Sequence, residues 1–363
     1  MLEALMQPLP LALLAVIAVC ILALVILGAK VKQLSSYQGN VVTQKERGQF
    51  EKNALASSKR FEQKADEAMR LMHTFQKFVP KQFVDHFAKH GSSVLVLGHA
   101  DEDDVAILFC DIRGFTGLSE QMSPQEVMNF LNSYFLRMND PIHHNGGFID
   151  KFIGDAIMAL FDHPKGSNED KATDAIRAAL DLRYALNIYN QHRHNSDYPP
   201  INIGIGIHFG PVIIGTVGSD DRMDTTVIGD SVNLAYRLEK LAPVYQTDIV
   251  VSAQMLEVAQ AEGRFESRLL DWVKVKGRLA ALEIHEVLDH LPDEQKKLKL
   301  LNANLIKQGI NYRKAKDWLQ ALSCFEQALS LNPQDYLATH HLAQCRLLQQ
   351  QELPANWDGA LQL

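Results

Sequence analysis

From Ala4 to Ala29 the chain carries no charged side chain, and Leu11 to Leu27 is almost wholly Leu, Ala, Val and Ile. The hydrocarbon core of a bilayer needs about 20 apolar residues of helix, so this run is long enough to span one. Lys30 and Lys32 follow directly, whereas the leading segment has Glu3 and no Lys or Arg. The positive-inside bias then puts everything after the helix in the cytoplasm. A cleaved signal peptide would show a basic n-region and a shorter apolar stretch. The expectation is a single-pass anchor over residues 1–30, in the cell inner (plasma) membrane.

The remainder has ordinary globular chemistry. At 363 residues, 47% hydrophobic and 22% charged, the chain exceeds one average domain and has ample material for a core. A net charge of −7 gives no basic field for a polyphosphate backbone, so a nucleic-acid partner is not expected. Cys20, Cys110, Cys324 and Cys345 lack metal or disulfide spacing.

Residues 31–98 read as a helical stalk and a short transducing element. Apolar residues from Leu34 to Phe75 recur near helical periods, which fits a continuous helix or loose coiled coil, while Gly39 and Gly48 weaken the first half and fit a partly flexible stalk equally well. Pro80 suits the first turn of a short amphipathic helix bearing Phe83, Val84 and Phe87. From Asp104 strands and helices alternate. Val105–Cys110 is an apolar strand, and Pro124–Asn139 is a helix with a capping box at Ser123 and Glu126. Phe148–Phe152 and Ala156–Phe161 form a hairpin whose turn, Gly154-Asp155, suits type II′. Lys171–Arg193 is a long helix, Ile201–His208 and Val212–Val217 are two strands, and a short strand, Thr225–Ile228, precedes the helix Ser231–Leu241. Residues 298–350 are helical, with Gly309, Tyr312, Ala321, Phe325, Ala328 and Pro333 at tetratricopeptide spacing. A second repeat from Tyr336 is incomplete. This piece is expected to pack on the preceding domain or on a protein partner, and 351–363 reads as a tail.

Asp111 ends an apolar strand and Asp155 sits in the hairpin turn, so the two carboxylates can meet at neighbouring strand ends. Such oxygen donors suit Mg²⁺ or Mn²⁺. Each Asp alone is equally good turn chemistry. Asn233 and Arg237, four residues apart on a helix, share a face, although a solvated face with Glu239 or Asp230 as ion partners reads the same way. Strand alternation puts Lys151 on the opposite face from Asp150 and Phe152. His143, His144 and His208 form no credible metal set, and Cys110 reads as a buried apolar residue.

Read together, three blocks resemble class III adenylate and guanylate cyclases: Phe109-Cys110-Asp111-Ile112-Arg113-Gly114-Phe115-Thr116, then Asp150-Lys151-Phe152-Ile153-Gly154-Asp155, then Thr226 to Arg237. The resemblance covers about Asp104 to Val287 and implies an α/β (α+β), ferredoxin-like palm-type catalytic domain, here residues 99–290. It implies Asp111 and Asp155, with the Ile112 carbonyl, as ligands of two divalent metal ions, Mg²⁺ or Mn²⁺. Asn233 would orient the ribose, and Arg237 would neutralise charge on the α-phosphate. Lys151 and Thr226 match the family's adenine-selecting pair, and Lys276 resembles a lysine that touches the triphosphate. Since family sites are shared between two domains, the resemblance implies a homodimer through the catalytic domain and stalk. The expected activity is conversion of ATP to cyclic AMP; a guanylate cyclase and a catalytically silent dimerising scaffold are the alternatives.

Overall fold

In the computed structural model the described residues are 11–35, 44–75, 98, 100–163, 166–219, 221–260, 263–275, 280–354 and 356–362. They fall into two compact units, Met1–Val96 and Leu97–Leu363. The first contains helix α1, Leu11–Ser35, and helix α2, Gln44–Phe75. Among the described residues no helix is long and apolar enough to cross a membrane; the anchor expected over residues 1–30 begins outside the described residues. Side chains of α1 are described over 19–31. Those that are described, such as Leu22, Leu24 and Leu27, are more than half exposed. On α2, Leu55, Phe61 and Leu71 are likewise exposed. The transducing element, with Pro80 and Phe83, lies outside the described residues.

Among the described residues the second unit is built on one nine-stranded sheet. Its centre is β1, Ala100–Ile112, in which Val105, Ala106, Ile107, Leu108 and Cys110 are fully buried. A strand apolar on both faces needs cover on both. After the short helix α3, Phe115–Ser119, the first cover is α4, Pro124–His144. It begins at the expected capping box, the Ser123 N–H donating to Glu126 Oε2 at 2.8 Å. Strands β2, Phe148–Ile153, and β3, Ala156–Phe161, form the expected hairpin beside β1. Helix α5, Asn168–Asn195, then lays Ala172, Ala175, Ile176, Ala179 and Leu182 into the same core.

Strand β4, Ile203–Ser219, runs without interruption where two strands were expected. Gly210-Pro211 reads as a break, yet Pro211 sits opposite Asp104 and keeps the register with β1. The hairpin β4–β5, with β5 at Arg222–Ile228, projects from the sheet. Helix α6, Asp230–Leu241, packs flat on β4 because Gly206 has no side chain there: a Cβ would come within 2.1 Å of the Glu239 backbone nitrogen.

The remaining strands are β6, Ile249–Ser252, β7, Ser267–Lys274, and β8, Leu282–Val287, with helix α7, Ala253–Val258, after β6. Helices α8, Asp293–Leu301, α9, Ala303–Lys314, α10, Trp318–Leu331, and α11, Tyr336–Gln349, follow. They share a hydrophobic cluster with α6: Leu234, Leu238 and Leu241 lie in the same core as Ile306, Ile310, Phe325 and Leu337. Polar groups seal the joint. Arg268 of β7 binds Glu286 at 2.7 Å and Asp335 at 2.6 Å, and Arg313 binds Asp271 at 2.5 Å. The buried His341 ring spans from the Leu270 carbonyl to Arg313, and burial pushes its pKa down to about 4, so it is neutral there. The tail docks too. Leu361–Gln362 form β9, parallel to β7, and the Trp272 indole donates to the Asp358 carbonyl.

Candidate active site

Strand register brings the first two acids together. Cys110 of β1 lies opposite Ile157 of β3, so Asp111 emerges beside the β2–β3 turn that holds Asp155. In that turn Gly154 takes φ 64° and Asp155 does not share the positive angle, as a type II′ turn demands. Burial, then a hydrogen bond and repulsion from Asp111, push the Asp155 carboxyl up to about 6, while the Ile112 N–H donates to it and acts in the other direction. Two carboxyls this close favour a shared proton or a cation between them. Hard oxygen donors of this kind fit Mg²⁺ or Mn²⁺. Among the described residues no three His, Cys, Asp or Glu side chains converge as a metal cluster, so the protein's own charged donors there are this pair.

Lys240 was not found by sequence reasoning. Its ammonium lies 2.5 Å from Asp111 Oδ2 and 3.0 Å from Glu239 Oε2. Partial burial lowers its pKa, but the hydrogen bonds it donates to both acids win and hold it above the ordinary lysine value. The signal was present in the spacing: Asn233, Arg237 and Lys240 fall at i, i+4 and i+7, one stripe of α6. Along that stripe Asn233 is exposed and Arg237 half-buried, and neither side chain bonds another described residue. Glu239, weighed as an ion partner for Arg237, is instead buried and turned to Lys240. The turn after Asp111 is pinned by Arg113, whose guanidinium donates to the Thr247 carbonyl and approaches Asp248 at 4.0 Å.

The third pair meets across two hairpins: Lys151 Nζ of β2 donates to Thr226 Oγ1 of β5 at 3.0 Å. Lys151 and Asp150 do not take opposite faces as simple alternation requires. The β2–β3 register shifts between Ile149 and Lys151, a bulge that brings Asp150 Oδ2 within 3.5 Å of the Lys151 ammonium. Lys276 lies outside the described residues. The histidines stay uninvolved, since His143 and His144 are exposed and His208 is buried against the Ser252 hydroxyl at 2.8 Å. Cys110 is fully buried, and burial above all pushes its thiol up to about 12, which suits packing rather than chemistry.

Residues 97–290 match the family described as the adenylate and guanylate cyclase catalytic domain. An adenylate cyclase of Anabaena cylindrica is 43% identical over 224 residues, which is 60% of this chain and 43% of that protein. The terminal-differentiation-specific adenylate cyclase of Dictyostelium discoideum is 35% identical over 276 residues, 76% of this chain and 13% of its own length. The chain thus spans less than half the length of these curated relatives. Among solved structures, a bacterial light-regulated adenylyl cyclase is similar with a TM-score of 0.55 and 27% identity, over 69% of this chain and 70% of that one. With more than half of its residues inside the matched segment and the acidic pair, the Asn–Arg stripe and the Lys–Thr pair all on the expected elements, this chain belongs to the adenylate and guanylate cyclase catalytic domain family.

Proposed function

We propose that the chain is an adenylate cyclase that converts ATP to 3′,5′-cyclic AMP and pyrophosphate, at sites completed by a second copy of itself. The observation that carries the base choice is the hydrogen bond from Lys151 Nζ to Thr226 Oγ1 at 3.0 Å. It sets a pure donor beside a hydroxyl that can accept, which fits adenine N1 and the 6-amino group; guanine offers the reverse at both atoms.

The other residues follow the needs of the displacement. The ribose 3′-oxygen forms a bond to the α-phosphorus as the bond to the β-phosphate oxygen breaks, and negative charge gathers on the α-phosphate. Arg237 offers a permanently charged planar fork for that charge. Asn233, one turn away, holds the ribose so that its 3′-oxygen lies in line. Asp111 and Asp155 would hold two divalent metal ions, and these when bound supply the charge that polarises the 3′-hydroxyl and the triphosphate. Both Mg²⁺ and Mn²⁺ fit the donors.

A homodimer is supported by the exposed apolar residues that flank the site. Phe152, Ile153, Ile213, Ile228 and Tyr236 are each 44–51% exposed, and Ile213 pairs with Ile228 across the β4–β5 hairpin. In the stalk, the exposed Leu55, Phe61 and Leu71 support pairing with the stalk of the second copy. The uncharged run from Ala4 to Ala29, followed by Lys30 and Lys32, supports placement in the plasma membrane with the catalytic unit on the cytoplasmic side; fractionation that left the full chain in the supernatant would refute it. Product formation by the full chain with ATP and GTP in parallel tests the function. Cyclic AMP from ATP, lost in Asp155→Ala, is expected; cyclic GMP as the main product would reassign the base. Mixing inactive Asp111→Ala and Arg237→Ala chains should restore activity through one composite site per heterodimer, and no recovery would refute the shared site.

A further inference from the structure

Among the described residues Asp150 is a buried acid short of hydrogen bonds. Its side chain is 1% exposed, and neither carboxylate oxygen has a hydrogen-bond partner of good geometry. A carboxylate in that state is costly unless something charged compensates it. The compensating charge is the Lys151 ammonium 3.5 Å away, itself 34% exposed, so the acid lies beneath the lysine on the buried side. Burial outweighs Lys151 and pushes the Asp150 carboxyl up to about 6, with Asp224 of β5 adding repulsion. Simple strand alternation would have separated the two side chains. The bulge between Ile149 and Lys151 is what brings them together, and bulges beside active sites commonly re-aim a side chain.

We propose that Asp150 is a specificity-positioning residue, which fixes the direction of the Lys151 ammonium from below so that adenine is selected over guanine. The inference rests on the adenine reading of Lys151 and Thr226 given above. An ammonium has three N–H donors in fixed tetrahedral relation. One is taken by Thr226 Oγ1 and a second leans toward Asp150, so the third points away from both and is left for a ligand on the exposed side of the lysine. In that direction it meets an acceptor on adenine, N1, and a donor on guanine, N1–H. Without Asp150 the ammonium is held only at Thr226 and can swing to the guanine O6 acceptor. Discrimination falls although the lysine is still present.

The test measures binding of 3′-deoxy-ATP and 3′-deoxy-GTP, which lack the attacking hydroxyl, to the full chain with Mn²⁺, for the unmodified protein, Asp150→Asn, Lys151→Met and the double variant. Asp150→Asn is isosteric; Asp150→Ala gives the same comparison if the amide variant fails to fold. The expected result is a preference for the adenine nucleotide that drops about tenfold in Asp150→Asn and does not drop further when Asp150→Asn is added to Lys151→Met. An unchanged preference in Asp150→Asn, with Lys151→Met reducing it, would overturn the role of Asp150 and leave the adenine reading in place. Equal losses with and without Lys151 would show that Asp150 does not act through the lysine. No preference in the unmodified chain, or none lost in Lys151→Met, would overturn the adenine reading itself and this inference with it.

Discussion

Two groups of acids gathered around the same sheet have opposite fates. On the side of α8–α11, burial raises the pKa of Asp271, Glu286 and Asp335, but Arg313 beside the first and Arg268 beside the other two reverse the balance and hold all three carboxyls below the ordinary range. On the side of the active site, burial wins: Asp155 and Asp150 are each pushed up to about 6, and Glu239 is raised as well. Residue types are alike in the two groups, and burial does not explain the difference, since the acids held low, Asp271, Glu286 and Asp335, are buried and so are Glu239 and the Asp150 side chain, whereas Asp155 is partly exposed. What differs is the cation, a buried and permanently charged guanidinium in the first and at most a half-exposed lysine in the second. Acids matched within the chain hold the fold together, whereas acids left short of positive charge are poised for cations and substrate from outside.

The largest expected effect is on chemistry without fold. Asp155→Ala should lower turnover by about a thousandfold or more, since metal charge supplies several kcal/mol at the transition state, and the urea midpoint should stay or rise because a repelling carboxylate is gone. A large drop in the midpoint would erase the contrast between the groups. Next comes fold without direct contact with chemistry: Arg313→Ala strands Asp271 and should cost about 3–5 kcal/mol of stability in urea unfolding. A loss below about 1 kcal/mol would class the pair with surface ion pairs.

Acid titration sharpens the same line. Asp271, Glu286 and Asp335 have folded pKa values depressed below the unfolded ones, so their stabilisation is present above about pH 4 and is lost as pH falls through the folded values. Asp150 has the opposite sign: its raised pKa favours the folded state below its unfolded value of 3.8, and that contribution disappears as pH rises through about 6. Asp335→Asn should therefore flatten the acid limb of stability against pH, and Asp150→Asn should flatten the region between pH 4 and 6. The smallest effect is expected at Lys240. Its side chain is 45% exposed, and exposed pairs contribute only about 0.2–1 kcal/mol, so Lys240→Met should tighten Mn²⁺ binding by no more than about fivefold. Weaker binding would make Lys240 a helper of the metal site rather than a competitor.

Local chemistry carried most of what the sequence disclosed. The II′ turn at Gly154-Asp155, the capping box of α4 and the apolar strand ending in Asp111 depend on neighbours a few residues apart, and all three are observed. The failures were of two kinds. Gly210-Pro211 carries break signals that tertiary pairing with β1 overrides, and the bulge at Asp150 leaves no mark in composition. The second kind is distance along the chain. Arg268 meets Asp335, and Arg313 meets Asp271, across tens of residues, so nothing local announces that these side chains belong to one network. Lys240 lies between the two kinds, because its stripe with Asn233 and Arg237 is readable but its reach to Asp111 requires the sheet.

The core shared by α6 and the C-terminal helices also sets an order of events during synthesis. Leu234 and Leu238, on the back of the helix that presents Asn233 and Arg237, wait for Ile306, Phe325 and Leu337, and β7 waits for Leu361. A domain whose contacts come from residues made later cannot finish folding on the ribosome ahead of them. The nascent protein should therefore reach its final packed state only after translation has passed Gln362, and a chain stalled shortly after residue 290 would present the bare apolar back of α6 to chaperones.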